Sequence, residues 1–160
     1  MLRKEKAERI IRRYGGDILD SDGMHIEKNC LQHGQISVYE HSYMVAVLCV
    51  ELAILCRIRA DMRALVRGAL LPDYFQYDWH AKDKSHQLHG FFHAERALKN
   101  AECDFRLTDI ERNMIRAHMF PLNLVLPKYR ESVLLCIADK VCATKETVEG
   151  FRQRLGQSHI

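Results

Sequence analysis

An all-α, single-domain bundle of six to seven helices is the fold this sequence predicts, on three observations. Apolar residues recur at helical spacing along most of the 160 residues, and strand-like alternation is nearly absent. Two S/T-x-x-E boxes, Ser37-Val38-Tyr39-Glu40 and Thr108-Asp109-Ile110-Glu111, mark helix starts. Apolar residues make up 48% and charged residues 28%, a balance that lets one chain of this length bury one core.

The first helix is expected over 2–14, with Leu2, Ala7, Ile10, Ile11 and Tyr14 on its apolar face and Gly15-Gly16 as its stop. A second, near 24–33, would end at Gly34. Ser37 opens a long helix over 38–58. Asp61 caps the next, 62–71, and Pro72 stands at its end, where a missing N–H costs little. The stretch 73–90 has no clear period and, at 18 residues, is long for a connection, which points to a task of its own. Helices follow at 93–102 and 109–119, the latter ended by Pro121. Pro127 precedes a last long helix, 128–148, with Val133, Leu134, Ile137 and Val141 as its expected apolar face; the polar tail to Ile160 is expected to fray. There is no repeat or linker, so 1–160 reads as one domain with its core over 30–145.

The 24 lysines and arginines exceed the 21 acidic residues by only three and are scattered, which argues against nucleic acid as a partner. The N-terminal stretch is charged throughout, unlike a signal peptide. The most apolar run, Met44 to Ile58, is interrupted by Glu51 and Arg57 and is too short to cross a bilayer. A cytoplasmic protein without a membrane partner is the expectation. The six cysteines, at 30, 49, 56, 103, 136 and 142, form no C-x-x-C pair, and buried free thiols account for them better than disulfides or a zinc knuckle. Composition leaves the oligomeric state open.

Five residues carry the functional signal: His41, Asp73, His93, His118 and Asp139, each on a different expected helix or helix end. Bundles build metal sites in this way, one inward side chain per element. Mixed imidazole and carboxylate donors suit iron, manganese, nickel or zinc, and a shared carboxylate allows one ion or two. Taken singly, each has an ordinary explanation as a capping, paired or surface group. Asp139 is the exception, because it lies in the apolar run Leu135-Cys136-Ile137-Ala138-Asp139-Lys140-Val141 and a buried carboxylate needs a partner.

Taken in order, YEHSYMVA around His41, ALLPDYFQYDW around Asp73, LHGFFHAERALKNA around His93, IRAHMFP around His118 and CIADKV around Asp139 resemble the HD-domain superfamily of metal-dependent phosphohydrolases. The likeness spans about residues 30–145 and is nearest to the small stand-alone bacterial members. It implies an HD-domain-like bundle, a divalent metal site, and hydrolysis of a small phosphate ester, with nucleotides among the candidates. By the resemblance, His41, Asp73 and Asp139 fall on a first metal site, and His93 and His118 complete a second bridged by Asp73; His89 is the alternative to His93.

The sequence departs from that family at Pro72, where the resemblance implies the histidine of the His-Asp pair. Proline donates nothing to a metal. Three accounts stand open: a weakened site that still binds, a fold kept after catalysis was lost, or a single-base change of a histidine codon. Asp73, Asp78 and Lys140 are the expected catalytic groups. Lys82 and Lys84 are further candidates to meet a phosphate, and Tyr74, Phe75, Tyr77 and Trp79 could stack on a base or fill core. The alternative function is a catalytically degenerate relative that binds a ligand or partner protein.

Overall fold

The computed structural model describes residues 3–33, 36–75 and 89–157, with side chains at 4–31, 36–75 and 93–152. It is one all-α domain, 73% helical. Seven helices are described: α1 (Arg3–Leu19), α2 (Asp22–Glu27), α3 (Val38–Leu55), α4 (Met62–Leu70), α5 (His89–Asp104), α6 (Asp109–Ala117) and α7 (Arg130–Gln157). Between α2 and α3, β1 (Leu31–His33) and β2 (Ile36–Ser37) form a small antiparallel ribbon with Leu31 opposite Ser37 and His33 opposite Ile36.

The helix starts follow their side chains. Ser37 Oγ accepts from Glu40 N, and Glu40 Oε2 accepts from Ser37 N at 2.9 Å. Thr108 and Glu111 make the same reciprocal pair at α6. Asp61 accepts from Ala64 N and opens α4. Each arrangement satisfies backbone donors that a helix start leaves unpaired.

Helix α4 is the hub, packed against α1, α3, α6 and α7. Its Arg67 is buried, and its guanidinium donates to both oxygens of Asp17 on α1 at 2.7 Å. The same group lies 3.3 Å from Glu111 of α6. Glu131, at the start of α7, accepts from Asp61 N at 2.7 Å. Apolar burial fills the rest: Ile11, Ile18, Val45, Cys49, Leu65, Leu70, Met114, Ile115 and Leu135 belong to one cluster.

Four expectations are corrected. Gly15-Gly16 does not end the first helix, which continues to Leu19. A Cβ at Gly15 would lie 2.5 Å from Leu70 Cδ1 and 3.0 Å from Val66 Cγ1, so the residue is small because α4 crosses there. The helix expected over 24–33 is α2, which Ser21 caps and which ends at Glu27; 31–33 is strand. The last helix, expected to end at 148, runs to Gln157.

The fourth correction concerns the face of α7. Leu134, Leu135, Ala138 and Cys142 are buried, whereas Val133, Ile137 and Val141 are 43–51% exposed. The inward stripe also carries Glu131, Ser132 and Glu146, so it reads as less apolar than the outward one. The cysteines are all free; Cys56 and Cys103 are exposed and the other four are buried. Among the described residues, α3 alone is long and apolar enough to cross a bilayer, longer than the run from Met44 suggested. Its inward residues, among them Val45, Ala46, Cys49 and Val50, are packed within the bundle.

Tyr74 couples this frame to the residue before it. Its ring is fully buried, and its hydroxyl donates to Asp104 Oδ2 at 2.8 Å. A Cβ at Gly23 would lie 1.7 Å from that hydroxyl oxygen. Gly23→Ala should therefore displace a rigid ring in a filled core and destabilise the fold by about 1–3 kcal/mol. A lower urea midpoint is the expected result; an unchanged one would show that Tyr74 can move aside.

Candidate metal centre

Asp73 follows the end of α4 by one short turn. Leu71 closes the helix, Tyr74 N donates to Leu71 O at 3.3 Å, and Phe75 N donates to Asp73 O at 2.8 Å. This self-bonded turn turns the Asp73 carboxylate inward, 2% exposed, among histidines from three other helices.

The two carboxylate oxygens face different groups. Oδ1 lies 2.6 Å from His93 Nε2 on α5 and 3.8 Å from His118 Nε2 at the end of α6. Oδ2 lies 3.5 Å from His41 Nε2 on α3. His41 Nε2 also meets Asp139 Oδ1 of α7 at 3.2 Å. All five sequence-derived metal residues therefore come together. They form two three-residue sets, Asp73–His93–His118 and His41–Asp73–Asp139, whose donor atoms in each set lie within 4.8 Å of one another.

The rings are aimed by their other contacts. His118 Nδ1 lies 2.7 Å from Ile115 O, which can only accept, so that nitrogen carries the proton and Nε2 offers a lone pair inward. Phe75 packs edge-on against His93, with ring centroids 4.4 Å apart. His41 Nδ1 meets both oxygens of Glu146 at 2.9 and 3.0 Å. Glu146 is the residue that sequence reasoning missed. It lies two turns beyond Asp139 on the same face of α7, and that seven-residue spacing is the signal that could have found it.

The electrostatics match a site built for positive charge. Burial opposes ionisation of Asp73, but the hydrogen bond from His93 and the charges of His93, His41 and His118 outweigh it and hold the carboxyl well below its usual range. Burial also opposes a charge on His41. The hydrogen bonds to Asp139 and Glu146, with the charges of Asp73 and Glu146, overcome it and push the ring up to about 10. Burial, aided by His93, lowers His118 despite Asp73 and Asp139. A buried site with this much carboxylate needs cations, and its imidazole and carboxylate donors suit a borderline divalent metal. The residues present fit such an ion.

The other expected site residues fall differently. Lys140 Nζ donates to His118 O at 3.1 Å and Cys136 O at 3.4 Å, so it braces the α6–α7 junction. Tyr74 and Phe75 are buried core residues. Tyr77, Asp78, Trp79, Lys82, Lys84 and the side chain of His89 lie outside the described residues. Pro72 is buried beside Asp73. Compared with known proteins, the chain matches no family model, no curated protein and no solved structure.

The raised value at His41 has a signed consequence for the metal-stripped protein. Its folded form holds a proton that the unfolded chain, with an ordinary histidine near ~6.5, releases earlier. The stabilisation is complete below about 6.5 and is lost as pH rises through about 10. Stability should fall across that window by up to about 1.4 kcal/mol per pH unit, and His41→Gln should lack this slope. Urea unfolding at several pH values in the presence of a chelator measures it. Parallel slopes in the two proteins would place the proton elsewhere.

Proposed function

We propose that this chain is a metal-dependent phosphohydrolase with an HD-domain-like site, acting on a small phosphate ester such as a nucleotide, with its metal centre weakened at Pro72. The observation that carries this reading is the two-sided exposure of one carboxylate: Asp73 offers Oδ1 to two imidazoles and Oδ2 to a third, so it can serve two ions. His93 and His118 would hold one ion with Asp73, and His41 and Asp139 the other. Iron, manganese, nickel and zinc all suit these donors.

Bound there, divalent ions activate water at neutral pH and neutralise charge on phosphate oxygens. The chain's own residues do the rest. Asp73 holds both sets in register. Asp139, at 15% side-chain exposure, is the least buried of the five. Phase and tautomer of the imidazoles are set by Ile115 O, Phe75 and Glu146, which leaves little reorganisation for the reaction itself. Asp78, Lys82 and Lys84 are retained as candidates to orient water and phosphate.

The second reading, a degenerate relative that binds a ligand or partner without turnover, draws on Pro72 itself, since a ring that donates nothing adjoins the shared aspartate.

Metal analysis and a phosphatase screen with added manganese or iron test the proposal. The parent protein should take up metal and hydrolyse small phosphate esters, Asp73→Asn should lose both properties, and Pro72→His should tighten metal binding by at least ~10-fold. Metal uptake and nucleotide binding without hydrolysis, with activity gained only in Pro72→His, would favour the degenerate relative. A protein that binds none of the four metals and hydrolyses nothing would overturn both forms of the metal reading.

A further inference from the structure

The two sets around Asp73 are unequal. One has two imidazoles and one carboxylate; the other has two carboxylates and the single imidazole of His41. An ion in the second set depends on one nitrogen donor, so the strength and aim of His41 Nε2 matter more there than those of either ring in the first.

What stands behind each ring differs accordingly. His118 is backed by a neutral carbonyl, Ile115 O, from its own helix. His41 is backed by a carboxylate brought from 105 residues away, and both oxygens of Glu146 lie within 3.0 Å of Nδ1. Glu146 is itself 3% exposed, so its charge is poorly screened where it meets the ring. Where an ion takes the place of the Nε2 proton that faces Asp139, an acceptor at Nδ1 holds the remaining proton on that nitrogen, and an anionic acceptor makes the ring a stronger donor than a neutral one does.

Building on the two-ion reading above, we infer that Glu146 is a positioning residue: it fixes the tautomer of His41 and sets the affinity of the ion held by His41, Asp73 and Asp139, while leaving the ion on Asp73, His93 and His118 unaffected. The geometry separates the two effects. The orienting part needs only an acceptor, which glutamine also supplies. The strengthening part needs the charge.

Calorimetric titration of metal-stripped protein with Mn²⁺ resolves the two ions. The parent should bind two, His118→Ala should lose the first, and His41→Ala the second. Glu146→Gln should weaken the second ion by about tenfold and Glu146→Ala by about a hundredfold, with the first ion unchanged in both. Far-UV circular dichroism and the unfolding midpoint check that each variant folds, and the near-isosteric glutamine variant keeps the test usable if the alanine variant does not. Undiminished affinity for both ions in Glu146→Gln and Glu146→Ala would overturn the inference. So would an equal loss at both sites, which marks a purely structural role. A parent that binds one ion, retained in His41→Ala, would overturn it while leaving the three-ligand set on His93 and His118 standing. A parent that binds no ion would remove both.

Discussion

Asp73 is a carboxylate shut away from water and kept ionised by three histidines, and the positions of four helices answer to it. Removing an ion from water costs several kcal/mol even after the surroundings relax. The cost is met only where partners converge with good geometry, and here His93 of α5 at 2.6 Å and His41 of α3 at 3.5 Å supply them. Taking away one partner of such a buried group costs about 3–5 kcal/mol, because the charge that remains has nowhere to go. The carboxylate therefore specifies the packing as much as the packing specifies it. A rotation of α5 that withdrew His93 would take away the 2.6 Å contact on Oδ1.

The frame that meets this demand is ionic as well as apolar. Arg67 links α4 to α1 through Asp17 and to α6 through Glu111, and Glu111 is at the same time the acid of the α6 capping box. The box that starts α6 is thus tied to the helix that ends at Asp73, and α6 in turn ends at His118. Tyr74 adds a link of the same kind. Its hydroxyl joins Asp104 at the end of α5, while Asn100 of α5 donates to the carbonyls of Tyr74 and Phe75. The turn that carries Asp73 is thereby tied to the helix that carries His93.

Much of this was legible in the chain, because short-range physics wrote it. Ser37, Asp61 and Thr108 open helices by bonding to backbone three residues on, and such signals need no tertiary context. The five ligand candidates were legible because their side chains are chemically conspicuous at apolar positions. The misreadings arose where a residue answers to a distant element. Gly15 looks like a helix stop locally, and only the crossing of α4 shows why a side chain is absent there. On α7 the more apolar stripe, Val133, Ile137 and Val141, faces out, since the inward stripe is occupied by small residues and by acids with partners on α3 and α4. Glu146 escaped notice for the same reason: a glutamate on a polar-looking helix face reads as solvated until His41 is brought against it.

Pro72 is tolerated because of where the turn puts its burden. The turn from α4 closes through Tyr74 N to Leu71 O and Phe75 N to Asp73 O, so neither bond requires an N–H at position 72. A proline there ends the helix, because it offers no N–H to the preceding turn and its ring clashes with that turn's carbonyl. Backbone and ligand roles at this point are separable. The chain keeps the turn that aims Asp73 while forgoing a donor atom beside it. On the proposed metal reading, a histidine would supply a second nitrogen to the set that contains His41; with proline there, that set has two carboxylates and an imidazole whose far side is held by an anion. On that reading a missing neighbour would shift weight onto the residues behind the remaining imidazole, and the buried carboxylate at 146 is the group that stands there.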